Sequence, residues 1–164
     1  MITLADAAPG DEDKVAALCG ELNGYYGDVL EGTPAERAGV VRDTLFGVPP
    51  LAYALLACDG QALAGFAAYS FLWPAAGLSA SLYLKELYVA VVYRRAGVGR
   101  MLMDGLGAVA ARRGLSRVEW TTDTSNQGAQ AFYEALGVRP LASKVFYRVT
   151  GDGPAGPVGW PLAC

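Results

Sequence analysis

The stretch "SASLYLKELYVAVVYRRAGVGRMLMDGLGAVAARR", residues 79–113, limits the possible folds more than any other part of this chain. Its first half is apolar and rich in β-branched and aromatic residues, so it reads as a strand ending near Val92. From Gly97 the period changes. Val98, Met101, Leu102, Leu106, Val109 and Ala110 fall on one helical face, and Arg112 and Arg113 complement the negative end of that helix. A strand that runs through a glycine turn into a helix is the half-unit of an α/β layer.

The join is also a place for chemistry. At a helix start the first N–H groups have no partner within the helix and carry partial positive charge. Gly97 and Gly99 let a bulky anion approach without meeting a Cβ, and Arg94, Arg95 and Arg100 add fixed charge. Two readings follow: a phosphate-binding helix N-terminus, or a glycine-loosened turn with solvated arginines. A dinucleotide fingerprint fits poorly, since Leu102 stands where the third glycine is required. "GLGAVA", residues 105–110, matches G-x-G-x-x-A but lies inside the amphipathic helix. A Walker loop is absent.

The rest of the chain fills out the plan. Residues 2–4 suit a short first strand. "GDEDKVAALCGELNGYYGD" is a helix, with Val15, Leu18 and Leu22 on one face and Gly24 as its stop. "TPAERAGVVRDTLFG" is a second helix: Thr33 as N-cap, Pro34 at the first position, Glu36 closing a capping box, Gly47 at the end. Residues 51–73 read as a hairpin about Asp59-Gly60. A strand is predicted over residues 115–122, a helix in "SNQGAQAFYEALG" ended by Gly137, and a last strand in "LASKVFYRVT", residues 141–150. The order predicts one α/β domain with a mixed sheet over residues 1–150. A Gly/Pro-rich tail, residues 151–164, follows, with Trp160 as a candidate anchor.

Composition narrows the chemistry. The chain has 164 residues, 53% of them hydrophobic and 18% charged, which suits a packed domain rather than a disordered one. No apolar run approaches the ~20 residues of a membrane span, and the N-terminus lacks the pattern of a signal peptide. A soluble cytoplasmic protein without a membrane partner is expected. Cys19, Cys58 and Cys164 are an odd count without a CxxC pair, which fits free thiols in a reducing compartment. There is no histidine. That excludes Ser-His-Asp and Cys-His catalysis and most catalytic zinc sites, and no metal is expected. A net charge of −3 argues against a nucleic-acid partner and is compatible with a cationic substrate.

Arg94-x-x-Gly97-x-Gly99 after an apolar strand resembles the acetyl-CoA motif of the GNAT acetyltransferase superfamily. "NQGAQAFYEALGV", residues 126–138, resembles that family's second signature, with Val138 in place of an aromatic. The resemblance covers most of residues 1–149. Within the superfamily, residues 63–100 look most like the spermidine/spermine N-acetyltransferase branch, and "GELNGYYGD" sits where that branch carries part of its polyamine site. Tyr26 stands where an acid is expected, and the loop after Trp73 has no aspartate. The acceptor is therefore open among a polyamine and another small primary amine such as a diamine, a lysine-like amino acid or an aminoglycoside.

The resemblance implies a mixed, mostly antiparallel sheet of about six to seven strands with about four helices, splayed between the fourth and fifth strands. It implies that Leu87, Tyr88 and Val89 offer backbone groups to the coenzyme's arm and thioester. Arg94, Arg95, Ala96, Gly97, Val98, Gly99 and Arg100 would hold its pyrophosphate. Asn126 and Ala129 would line the far wall. It implies an N-acetyltransferase using acetyl-CoA on a small primary amine, with a homodimer by analogy.

Tyr133 is the candidate acid for the departing thiolate, a phenol near pKa ~10 facing a thiol near ~8.5. It also lies on an i, i+3, i+4, i+7 stripe with Ala129, Phe132 and Leu136, so a core role is the alternative. Glu86 interrupts an apolar strand and is the candidate base; the alternative is an ion pair with Lys85, which strand alternation would place on the opposite face. Tyr25, Tyr26 and Asp28 are candidates for the amine site, or for a loop packed by two aromatics. A non-catalytic acyl-CoA-binding or regulatory protein on the same fold and an acetyltransferase for peptide or aminoglycoside amines are the alternative functions.

Overall fold

The computed structural model describes residues 1–148, which fall into two units, residues 1–123 and the residues from 124 onward. Residues 149–164, with the tail and Trp160, lie outside the described residues.

In the first unit five strands form one sheet in sequence order. They are β1 (Ile2–Asp6), β2 (Tyr53–Asp59), β3 (Ala62–Leu72), β4 (Ser81–Val89) and β5 (Val118–Trp120). Neighbours are antiparallel except β4 and β5, which are parallel. Helices α1 (Glu12–Tyr26) and α2 (Pro34–Phe46) separate β1 from β2. Helix α3 (Val98–Arg112) is the crossover that a parallel β4–β5 pair requires.

Both faces of the sheet are covered. Leu55, Leu82 and Leu84 pack with Val98, Leu102 and Leu106 of α3. Leu56, Phe66 and Tyr88 pack on the other side with Val15, Leu18 and Leu22 of α1. Successive residues of β2 thus serve opposite cores, which is why this hairpin reads as continuous apolar runs instead of alternating ones.

The termini of α2 form as predicted. The Glu36 N–H donates to Thr33 Oγ1 at 3.3 Å, and the Thr33 N–H donates to the Glu36 carboxylate at 2.7 Å. Helix α1, in contrast, runs past Gly24 to Tyr26. A glycine inside a helix costs only about 1 kcal/mol, and Gly27, at φ 83°, is the residue that turns the chain out. Glu12 at the head of α1 accepts from Arg42 Nε of α2 at 2.9 Å, which ties the two helices together.

The sheet has five strands among the described residues, fewer than the six to seven expected. β5 is shorter than residues 115–122 because the Leu115 N–H closes the end of α3 on the Ala110 carbonyl, and the Ser116 N–H bonds the Ala80 carbonyl. Residues 141–148 carry no strand; Val145, Phe146 and Tyr147 are exposed there. High β-propensity alone does not supply a neighbouring ladder.

One irregularity matters for function. Ala68 pairs with Glu86 and Tyr69 with Leu84, so Lys85 is an extra residue on β4. The bulge resets the alternation. Leu82 and Leu84 face α3, and so do Leu87 and Val89 beyond the bulge, while Tyr88 and Ala90 face α1.

Just past the bulge β3 and β4 approach closely. A Cβ on Gly65 would stand 2.5 Å from the Tyr88 carbonyl oxygen and 3.2 Å from the Val89 Cα. Backbone cannot swing aside as a side chain does. Gly65→Ala is therefore expected to lower the unfolding free energy by about 1–3 kcal/mol, measured by urea denaturation. An unchanged midpoint would contradict this contact.

Candidate functional site

The site is built where β4 ends. β4 pairs with β5 only from Leu82↔Val118 to Leu84↔Trp120, yet it continues to Val89. Its register with β5 thus stops before Leu87, Tyr88 and Val89, and the two strands part where the resemblance placed a splay. The backbone of that segment has no β5 partner on its outer edge.

A 3₁₀ turn at Val91–Tyr93 then leads into the arginine-glycine segment. Arg95 has φ 65° and Gly97 has φ 82°, two left-handed residues within three positions. Such conformations turn successive N–H groups toward a common concavity. Gly97 is the N-cap of α3 and has no side chain with which to cap the first N–H groups of the helix. A Cβ at Gly97 would meet nothing within 4 Å, which makes the backbone conformation, not crowding by protein, the reason for glycine there. Arg95 and Ala96 are exposed, as is Arg100, whose Nε lies 3.7 Å from Asp104 on the next turn. Val98 is buried in the core. The turn at Gly97, open above its Cα and flanked by the exposed Arg95 and Arg100, is suited to a diphosphate.

Arg94 does something the sequence did not reveal. Its Nε donates to the Val89 carbonyl at 3.1 Å. Its guanidinium carbon lies 5.1 Å from the centroid of the Tyr25 ring and 5.6 Å from that of Tyr88. The arginine therefore braces the turn against β4 and the end of α1. Tyr88 itself is buried, and its hydroxyl donates to the Glu21 carboxylate at 3.3 Å. Burial, and then the Glu21 charge, hold that phenol above the usual tyrosine range, against the opposing pull of Arg94.

Glu21 and Tyr25 are four residues apart on α1 and so share a face. One reaches Tyr88 and the other Arg94. Glu21 was not among the expected residues; its spacing from Tyr25 is the signal that marks it. Tyr25 and Tyr26 stand edge-on at 5.4 Å, each more than half exposed. They belong to the last turn of α1, not to a loop. Asp28 is exposed beyond it, with its N–H on the Asn23 carbonyl.

Glu86 and Lys85 do not face apart. Lys85 Nζ lies 3.2 Å from Glu86 Oε1, because the bulge breaks the alternation on which the opposite expectation rested. Glu86 is 37% exposed and its charge also acts on Cys19 of α1. Burial first, and Glu86 second, raise the Cys19 thiol, which leaves it a poor nucleophile. Among the described residues no group of three or more His, Cys, Asp or Glu side chains gathers to hold a metal, and no helix is long and apolar enough to cross a membrane.

In the second unit, α4 (Gln127–Ala135) carries the other signature. Asn126 Oδ1 accepts from the Ala129 N–H at 3.0 Å, so this pair caps the helix. At the far end Gly137, at φ 86°, donates to the Glu134 carbonyl, and the Val138 N–H donates to the Tyr133 carbonyl. That is a Schellman stop. Much of the motif N-x-x-A-x-x-F-Y-x-x-x-G-V is thus helix capping. Tyr133 is half-buried with its ring 5.1 Å from that of Phe132.

The profile of the acetyltransferase (GNAT) family matches residues 17–138. A thialysine N-epsilon-acetyltransferase from Bos taurus is 25% identical over 149 residues, 86% of each chain. An L-ornithine N5-acetyltransferase from Arabidopsis thaliana is 30% identical over 90 residues, which are 55% of this chain and span only 40% of that protein. Among solved structures, an integron cassette protein from the mobile metagenome of V. cholerae superposes with a TM-score of 0.84 at 25% identity, over 92% of this chain and 93% of that one.

The Tyr25–Arg94 contact is open to a direct test. A double-mutant cycle of Tyr25→Ala and Arg94→Ala, read by urea unfolding, is expected to show a coupling of about 0.5–1 kcal/mol. Strict additivity would contradict it.

Proposed function

Because the chain belongs to the acetyltransferase (GNAT) family, and so stands among N-acetyltransferases, we propose that it moves an acetyl group from acetyl-CoA to a primary amine of a small cationic molecule. The left-handed turn through Arg95 and Gly97 into the uncapped start of α3 is the observation that carries this reading. It fits a diphosphate: a helix start with no side-chain cap, open space above Gly97, and the charges of Arg95 and Arg100. Arg94 keeps that turn in shape from behind.

Acetyl-CoA supplies an activated thioester carbonyl, which the amine attacks as the new C–N bond replaces C–S. The stretch of β4 beyond its last β5 rung, at Leu87, Tyr88 and Val89, is assigned the amide groups of an extended arm, in the manner of an added strand. A lysine-like amine has a pKa near 10.4, so it must lose a proton before attack. Glu86, half-exposed at the bulge, is assigned that proton. Tyr133 is assigned the proton that goes to the leaving sulfur, and Asn126 and Ala129 the wall beside it. Tyr25, Tyr26 and Asp28 are assigned to the amine entrance.

The two relatives named above act, by their names, on side-chain amines of amino acids, which supports an acceptor of that size. The resemblance to the spermidine/spermine branch supports a cationic acceptor. A cytoplasmic homodimer completes the proposal, resting on the free thiols of Cys19 and Cys58 for the compartment and on analogy for the assembly.

Release of free thiol from acetyl-CoA across a panel of small amines tests the activity. Tyr133→Phe is expected to lower turnover by about 10²–10⁴-fold, the usual contribution of one general acid. Unchanged turnover in that variant would remove Tyr133 from the reaction.

A further inference from the structure

β4 presents two opposite charges at a single point. The Lys85 side chain is 67% exposed and Glu86 is 37% exposed, with 3.2 Å between Nζ and Oε1. An ion pair as open as this contributes little to stability, so the fold does not account for it. Its position is more informative. Lys85 is the bulge residue, directly after the last β4–β5 rung at Leu84↔Trp120 and two residues before Leu87. The pair therefore stands where the two strands part.

On the acetyltransferase reading, on which this inference rests, Glu86 meets the ammonium group of the acceptor. A lysine beside it has opposite effects on two classes of amine. It repels the second ammonium of a diamine or polyamine, and it attracts a carboxylate. The lysine stem is long and flexible, so its ammonium can swing from Glu86 to a carboxylate while Glu86 turns to the incoming amine. An acceptor bearing both charges satisfies both side chains at once; a polyamine satisfies one and opposes the other.

We infer that Lys85 is a specificity-determining residue that binds the carboxylate of the acceptor, so that the substrate is an amino acid and not a polyamine. The charge on the acceptor, more than its length, sets the selection.

Matched pairs that differ only by the carboxylate test this: lysine against cadaverine, and ornithine against putrescine. The wild-type protein is expected to favour the amino acid in kcat/KM by about tenfold or more, the range of one charged hydrogen bond. The preference should shrink as sodium chloride is raised, since exposed charges are screened. In Lys85→Gln the value for the amino acid should fall about tenfold while that for the diamine rises, and Lys85→Glu should invert the order. Calorimetric titration of lysine and cadaverine onto the protein carrying coenzyme A should show the same reversal without turnover. Because Lys85 is exposed, both variants should melt close to wild type. A wild-type preference for the diamine, or equal changes for both amines in Lys85→Gln, would overturn the inference and leave the acetyltransferase reading standing. Failure to release thiol with any amine would remove that reading and this inference with it.

Discussion

The site depends on how β4 leaves the sheet. β4 is bonded to β3 along its length but to β5 over only three rungs, and that imbalance leaves β4 beyond Leu84 without a β5 partner. The close contact at Gly65 keeps β4 on β3 just where β5 departs. The chain then turns through two left-handed residues into α3. Edge, turn and helix start form one continuous stretch of backbone donors and acceptors, which is what an extended ligand ending in a diphosphate requires.

Side chains have a supporting part in this arrangement. Arg94 is held by the Val89 carbonyl and flanked by Tyr25 and Tyr88, and Tyr88 is in turn held by Glu21. The end of α1, assigned to the amine entrance, is thereby joined to the turn assigned to the coenzyme. A change at the tip of α1 can reach the turn before α3 through one arginine. The second unit is built with similar economy, since the residues of its signature also cap both ends of α4.

What the sequence made legible was local. Thr33 and Glu36 announced the start of α2, Asp59-Gly60 the hairpin, and Gly97 the start of α3, because each is a short-range rule of backbone chemistry. The glycine turn between β4 and α3 was legible for the same reason. The bulge was not: an extra residue in β4 shows only when β3 is laid beside it, and without it Lys85 and Glu86 were placed on opposite faces. Helix α1 passed Gly24 because tertiary packing of Leu18 and Leu22 outweighs one weak residue. The expected strand in residues 141–148 did not form although its residues favour β structure, and β5 was shortened by bonds from Leu115 and Ser116 to carbonyls elsewhere. Arg94 was legible as a charge before the start of α3, but its hold on two rings from different elements was not.

The central claim is that the backbone from residue 95 to residue 100 grips the diphosphate of coenzyme A. Amide resonances of the isotopically labelled protein, followed by NMR as coenzyme A is added, test it directly. The account predicts that the N–H groups of Ala96, Gly97, Val98, Gly99 and Arg100 move most, and that pantetheine, which lacks the diphosphate, leaves them in place. Coenzyme A binding that shifts other amides while those five stay unmoved would contradict it.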